Sequence, residues 1–531
     1  MAQQTQEQDI NHLLKVRREK LAELQQNGRD PFQITKFDQT HHSLEVKGLY
    51  EAHETELLKD RQEPNVEGMD EEQAKEALKK DYEERRNIMD ASPIHVAIAG
   101  RMMFKRVMGK ASFCNIQDLQ GNIQVYVARD AIGTESYADF KKSDIGDIFG
   151  VEGFAFRTRT GEISIHAEKV TLLSKSLQIL PEKFHGLTDV DTRYRQRYVD
   201  LIMNTESKDT FIKRSKILSA IRKYLSGEGF MEVETPMLVQ NAGGAAARPF
   251  ETHFNALNED LKLRISLELY LKRLIVGGLE KVYEIGRVFR NEGLDTRHNP
   301  EFTMLEAYCA CGDFETMANM VEELICHLAE KFCGGLQIDH KDAEGNVLYT
   351  IDLSRPWKRA DYQDLIRGVA GEDWFDISPE ARRARCEELG VEISPDMKDV
   401  DVSQQVYEKL VEEKTMNPCF VTHVAKDLVP LAKLNRENPD VVDVYELVIN
   451  GQEISPGYSE LNDPDVQKER LEHQAAGETQ RVDYDFIETL EYGMPSAGGI
   501  GIGIDRVVMM LTGASSIRDV LLFPQLKRKD S

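Results

Sequence analysis

Residues 10–26 place apolar side chains at Ile10, Leu13, Leu14, Leu21 and Leu24, with Lys15, Arg17, Arg18 and Lys20 between them. That spacing predicts an amphipathic helix. Residues 51–90 are dense in Glu, Lys and Asp with few apolar anchors. They predict exposed helix with mobile portions, because a charge run is ordinarily a solvated face. From Val96 the period shortens to two. VAIAGRMMF, SFCNIQD, NIQVYVA, IFGVEGFAF and ISIHAEKVTLL are short strands separated by glycine and polar turns. Five of them within about 80 residues predict a small closed barrel of the OB type. A linker, SLQILPEKFHGLTDVDTRYRQRYVDL, follows, and a larger α+β domain begins near Ser207. The expected division is an N-terminal helical extension (1–92), the barrel (93–175), a linker (176–206) and the α+β domain (207–531), with no internal repeat.

Two faces can be assigned within the barrel. In SFCNIQD, Phe113, Asn115 and Gln117 share one face; in NIQVYVA, Asn122, Gln124 and Tyr126 share the polar face while Ile123, Val125 and Val127 turn to the core. Phe113 is then an aromatic on a polar face. Either it stacks a nucleic-acid base with neighbouring amides reading base edges, or it covers the barrel end.

The α+β domain holds two hairpins with charged interiors. Val282–Arg290 and Phe302–Tyr308 predict strands joined by a long loop. On the second, Phe302, Met304, Glu306 and Tyr308 face one side, each about 6.6–7 Å from the next. An unpaired buried carboxylate at Glu306 is too costly to keep. Its partner is either a cationic ligand or a structural Arg. Arg290 stands at the loop entrance, followed by Glu292, Arg297 and His298, and Arg grips phosphate oxygens bidentately. In YELVINGQEISPGYSELNDP, Asn450-Gly451 predicts a two-residue turn pairing Val448 with Glu453, which sets Glu446 and Glu453 diagonally on one face. Like charges so placed repel unless a cation bridges them, and hard oxygen ligands suit Mg²⁺ carrying phosphates. The alternative is an exposed acidic edge strand. Near the C-terminus, GMPSAGGIGIGIDRVVMML reads as a glycine-rich strand entering a helix at Asp505. Arg506 then sits in its first turn, a favourable place for phosphate. The spacing of a dinucleotide fingerprint fails at Ile504, and no GxxxxGK[ST] occurs, so any ATP use is not of the P-loop kind.

Composition narrows this picture. The chain has 531 residues, 41% hydrophobic and 30% charged, with no apolar run long enough for a membrane span. The polar start MAQQTQEQDINHLL lacks the apolar core of a secretory signal, so a cytoplasmic location is expected. A formal charge of −25 excludes wholesale coating of nucleic acid but not a local basic path on an acidic body. The seven cysteines form no paired CxxC, which disfavours structural zinc and favours buried thiols.

Three stretches together resemble the signature motifs of the class II aminoacyl-tRNA synthetases. SKILSAIRKYLSGEGFMEVETPML is similar to motif 1, a helix and strand ending in a proline, Pro236. EIGRVFRNEG…RHNPEFTMLEAY is similar to motif 2, and GIGIGIDRVVMMLTGASSIRDVLLFP to motif 3. The order of barrel then catalytic domain marks the subclass for aspartate, asparagine and lysine. RPFETHFNALNEDLKLRISLELYLKRLIVGG resembles the lysyl-tRNA synthetases most closely. The acidic residues Glu306 and Glu460, beside Tyr308, suit an ammonium, whereas an aspartate enzyme must present cations.

The resemblance implies an α+β multidomain fold: a five-stranded OB-fold barrel, then an antiparallel sheet flanked by helices. It implies an AMP-forming lysine–tRNA ligase, with ATP as substrate, tRNA(Lys) as partner, two or three Mg²⁺ ions per subunit and a homodimer built through motif 1. It places Arg290 on the lysine carboxylate and the α-phosphate. Glu292, His298 and Asn299 contact ATP, Phe302 lies on adenine, and Arg506 on the γ-phosphate. Glu446 and Glu453, with Glu460 as a further possibility, hold Mg²⁺. Gly244, Glu268 and Glu306 take the α-amino group, and Tyr308 with Glu460 the ε-ammonium. Arg101, Phe113 and Gln124 read the anticodon. Three departures stand out: Pro456 where relatives often have Asn, Ala497 in PSAGG where PPTGG is frequent, and a longer segment around 51–80.

Overall fold

The computed structural model describes residues 2–62, 64, 67–181, 187–245, 247–342, 344–475 and 482–529. The chain divides into two compact units, Met1–Phe184 and His185–Ser531.

The first unit is a closed barrel with helices before it. Strands β1 (His95–Met108), β2 (Ala111–Gln117), β3 (Asn122–Ala128), β4 (Ile148–Arg157) and β5 (Ile163–Ser174) close in the order β1-β2-β3-β5-β4. Alternation decides the interior: Cys114, Ile116, Ile123, Val125 and Val127 are buried, and the residues between them face outward. The N-terminal helix runs Ala2–Gln26, but not as an apolar face would have it. Ile10 and Leu13 stay exposed, and the residue that buries is Arg17, whose guanidinium donates to the carbonyls of Ile145 and Ser176 at 3.1 Å. Those carbonyls belong to no strand ladder, so a forked donor satisfies them better than a leucine can. The charged stretch forms the helices Ser43–Leu58 and Glu71–Asp90. Between them, residues 63, 65 and 66 of the segment expected to include mobile portions lie outside the described residues, as do 182–186 of the expected linker.

The second unit adds thirteen strands among its described residues. A short strand, β6 (Met231–Glu232), precedes a small sheet of β7 (Leu238–Val239), β8 (Glu251–Phe254) and β9 (Glu259–Leu263). β10 (Lys281–Phe289) and β11 (Glu301–Ala310) come next, then the hairpin β12 (Gln337–Lys341) and β13 (Val347–Asp352). The remainder are β14 (Lys358–Asp361), β15 (Cys419–Thr422), β16 (Val444–Ile449), β17 (Gln452–Ser459) and β18 (Ala497–Gly503). Eight strands make the main sheet in the order β14-β15-β16-β17-β18-β11-β10-β6. Its six central strands are antiparallel, and each edge pair is parallel. One face packs Leu305, Ala307, Ile500 and Ile502 against the helices Thr205–Gly227, Phe314–Cys333 and Ile504–Thr512. The opposite face holds Phe302, Met304 and Tyr308, as the two-residue period predicts, and carries the site. No helix among the described residues is long and apolar enough to cross a membrane.

Candidate functional site

β10 and β11 pair with Glu284 opposite Glu306 and Val288 opposite Phe302. The start of β11 is pinned to the helix Ile504–Thr512, where Asp505 accepts the Thr303 N–H at 2.8 Å and meets Arg214 at 2.7 Å. Arg214 belongs to the helix Thr205–Gly227, one residue before the first motif-like stretch, so this buried ion pair ties the helix that carries that stretch to the other two.

A cavity of ≈ 490 Å³ opens beside that junction. Arg290, Glu292, Arg297, His298, Asn299 and Phe302 line it from the hairpin, Arg506 from the helix, Glu453, Pro456 and Tyr458 from β17, and Gly244 and Glu268 from the far side. The Arg290 guanidinium lies 5.3 Å from the centre of the Phe302 ring, a cation–π contact that keeps both in place. Arg506 donates to the Glu453 carbonyl at 2.6 Å and stands 3.2 Å from His298 Nε2, while His298 Nδ1 meets Asp295 at 2.8 Å. Arg297 donates to the Gly451 carbonyl at 3.0 Å. Arg297 is thus braced on the turn between β16 and β17, and Arg506 on β17 just after it. Asn299 is different: its amide donates to the Glu301 carbonyl and accepts the Gln525 N–H, so backbone engages both ends.

The acid end of the site departs from the sequence reading. Glu306, Tyr308 and Glu460 are buried and stand behind the cavity wall rather than on it. Glu306 accepts from Ser266 Oγ and the Leu267 N–H, both at 3.0 Å, and from the Tyr308 hydroxyl at 3.1 Å. Burial and the neighbouring Glu268 carboxylate push its pKa up to about 7. Within the chain the Tyr308 hydroxyl is thus engaged by Glu306. Glu460 lies just past β17, 1% exposed, and its partner is Lys272, which also holds Glu268 at 2.6 Å. Burial alone would pull the Lys272 ammonium down, but the two carboxylates outweigh it and raise its pKa. A buried carboxylate needs a counter-cation; here the chain supplies one. The signal was present in ELYLKRLIV, where Glu268, Lys272 and Ile275 follow helical spacing on one face.

Gly499 on β18 makes this corner possible. A Cβ there would lie 1.9 Å from Glu460 Oε1 and 2.5 Å from the Tyr308 ring. Pro456 lines the cavity one residue before β17 begins to pair with β18 at Gly457, so its missing N–H breaks no bond to β18. Tyr458 stands two residues on. It is a phenol among Glu268, Glu453, Glu460 and Glu446 that sequence reasoning missed, and burial drives its pKa upward.

The acidic hairpin forms as expected at the turn: Asn450 and Gly451 adopt φ of 59° and 67°, and Val448 opposes Glu453. A bulge at Ile454 then shifts the register so that Glu446 opposes Pro456. Burial and the carboxylates of Glu453, Glu412 and Glu408 push the pKa of Glu446 well above its ordinary value. Glu412, also missed, is held up at about 7 by burial and Glu453, and it accepts the Glu453 N–H at 2.9 Å. This crowd of carboxylates suits a divalent cation in charge, yet among the described residues no group of three or more His, Cys, Asp or Glu is arranged to hold a metal ion. The crowd of acids is the property that carries the fit.

In the barrel, Phe113 packs its ring 5.1 Å from that of Tyr126, directly opposite on β3. Gln124 faces outward opposite Asn115, and Ser164 Oγ donates to its amide oxygen at 2.9 Å. Arg101 instead donates to the Gly146 carbonyl of its own unit at 2.7 Å.

A barrel with aromatic and amide groups on its outer face, and a six-strand antiparallel core bearing an arginine-lined cavity, define a class of protein. The family described as tRNA synthetases class II (D, K and N) matches residues 189–527, and an OB-fold nucleic acid binding domain matches 96–173. The chain belongs to this class II synthetase family and, within it, groups with the lysine–tRNA ligases. It is 47% identical over 529 residues to the Lysine--tRNA ligase of Staphylococcus saprophyticus, covering 98% of this chain and 100% of that one. It is 48% identical to that of Enterococcus faecalis, with 99% of each chain covered, and 46% identical to that of Staphylococcus aureus, with 98% and 100% covered.

Proposed function

We propose that this ATP-dependent ligase activates L-lysine as lysyl-adenylate, releasing pyrophosphate, and transfers lysine to the 3′-terminal adenosine of tRNA(Lys). The observation that carries the reading is the charge of the cavity: Arg290, Arg297 and Arg506 line it together with Glu268, behind which Glu306 and Glu460 are buried. An anionic nucleotide and a diamino acid complement those two kinds of charge.

The lysine carboxylate attacks the α-phosphate while Arg290 grips both, and the negative charge that grows on the leaving pyrophosphate is met by Arg506. Phe302 offers its ring to adenine, with Glu292 and His298 beside it. The backbone demands on Asn299 favour a bracing role for that residue over a free ATP contact. Glu268 and Glu306 receive the α-amino group with Gly244, and Glu460 with Tyr308 the ε-ammonium. A terminal ribose hydroxyl then attacks the acyl carbon and AMP leaves. Catalysis is by positioning and charge, with no side-chain nucleophile. Glu446 and Glu453, with Glu412 beside them, would hold Mg²⁺, two or three ions per subunit. Bound there, the metal neutralises phosphate charge.

The four-part division into 1–92, 93–175, 176–206 and 207–531 fits this division of labour. Phe113 and Gln124 read the anticodon, and Arg101 supports the barrel wall beside them. A homodimer through motif 1 belongs to the same reading, and Met231, Met237 and Leu238 of that stretch are exposed apolar side chains a partner subunit could cover. A cytoplasmic location accords with the reaction. The test is pyrophosphate exchange into ATP by the purified protein. Exchange that requires lysine is expected; exchange driven by aspartate or asparagine, or none with any amino acid, would overturn the reading.

A further inference from the structure

The corner behind the cavity contains three carboxylates, Glu268, Glu306 and Glu460, and one cation, Lys272, whose side chain is 0% exposed. Lys272 occupies one oxygen each of Glu268 and Glu460, reaching Glu268 from one helical turn along the helix Glu268–Val276. The second oxygen of Glu460, Oε1, is buried, makes no hydrogen bond among the described residues, and lies over Gly499 beside the Tyr308 ring. Three carboxylates this close, taken out of water, cannot all stay ionised without a counter-charge. A proton would relieve them, but it would turn an acceptor oxygen into a donor hydroxyl and spoil it for an ammonium. An ammonium arriving from the side of the helix relieves the same charge and leaves the opposite oxygens as acceptors.

We propose that Lys272 is a positioning residue for the amino-acid substrate: its buried ammonium bridges one oxygen of Glu268 and one of Glu460, and so holds the opposite oxygens of both in place as acceptors for a diamino acid. The charge count agrees. Three carboxylates and one internal ammonium leave two negative charges for the two ammonium groups of lysine, and the substrate carboxylate is left to Arg290. The titratable groups facing the pair are Lys272 from the helix Glu268–Val276, Glu306 and Tyr308 from β11, and Tyr458 from β17.

This inference rests on the lysine-site reading above, and the experiment separates the two. Pyrophosphate exchange is measured for wild type, Lys272→Met, Lys272→Gln and Lys272→Arg between about pH 6.5 and pH 8.5. In the Met variant the KM for lysine is expected to rise about tenfold at neutral pH, with the KM for ATP within about twofold, because one acceptor is now protonated. That KM should fall with rising pH by up to about tenfold per pH unit, more steeply than in wild type, as lysine binding displaces the proton. The Arg variant, which keeps the charge, should stay within about threefold of wild type. If the Met variant does not fold, the Gln and Arg variants carry the same comparison. A Met or Gln variant that binds lysine as tightly as wild type, or more tightly, overturns the role of Lys272 while wild-type exchange still requires lysine. An Arg variant that folds but is as impaired as the neutral ones does the same. Absence of lysine-dependent exchange in wild type removes both readings.

Discussion

At the scale of single residues the site is governed by buried charge. Burial and the Glu268 carboxylate disfavour the charge of Glu306 and push its pKa up to about 7. Its folded pKa lies above the unfolded value, so the stability it contributes is fully present below the ordinary glutamate value of 4.5 and is lost as pH rises through about 7. Lysine binding reverses that cost by supplying a cation. Thermal stabilisation by saturating lysine should therefore be larger at about pH 8 than at about pH 6, and the KM for lysine should climb as pH falls below about 7 while that for ATP stays flat. A lysine KM independent of pH would separate Glu306 from the substrate. Glu460→Gln should raise the lysine KM by about ten- to a hundredfold, the loss of one hydrogen bond to a charged group, with ATP affinity little changed. Arg290→Gln should lower the rate of adenylate formation by about 10²–10³-fold, the usual cost of one preorganised donor to developing charge. Single-turnover exchange kinetics would measure it.

At the scale of elements, the glycine-rich strand β18 is a floor rather than a nucleotide loop. Gly499 lets Glu460 and Tyr308 lie flat against it, with no room for a methyl group. Gly499→Ala should destabilise the second unit by about 1–3 kcal/mol, the ordinary cost of overpacking, and raise the lysine KM, read by urea unfolding and exchange kinetics on the same preparation. How much of these elements was legible follows from periodicity. The Phe302-Met304-Glu306-Tyr308 face came directly from it, because side-chain direction alternates along a regular strand, and the Val448–Glu453 pairing came from the Asn450-Gly451 turn. The bulge at Ile454 did not, since nothing local marks which residue is extra. The N-terminal helix was legible as a helix but not in its packing: the buried Arg17 answers carbonyls more than a hundred residues away.

At the scale of the molecule, the two units divide at residues 184 and 185. A chain lacking 1–184 should keep lysine-dependent exchange and lose efficient tRNA charging, provided the remainder still folds and dimerises. Loss of exchange together with a folded circular-dichroism spectrum would tie the barrel to the chemistry itself. Phe113→Ala in the full chain should reduce the charging efficiency by an amount equivalent to about 1–3 kcal/mol, the worth of one stacked base, with pyrophosphate exchange unaffected.

The class of protein was readable from the chain alone, because its chemistry rests on residue types at local spacings: Arg290 after a strand, Arg506 in the first turn of a helix, an Asn-Gly turn between acidic strands. The identity of the partners inside the amino-acid corner was decided only in three dimensions. Glu306 could be predicted to need a partner but not which one, and the structure gives it Ser266, the Leu267 backbone and Tyr308. Glu460 could be expected to need an ammonium, but not that Lys272 stands beside it within the chain, brought there by the packing of the helix Glu268–Val276 against β10 and β11. Local sequence sets periods and propensities; the counter-ion of a buried charge depends on which distant element lands beside it, and that is settled by tertiary packing.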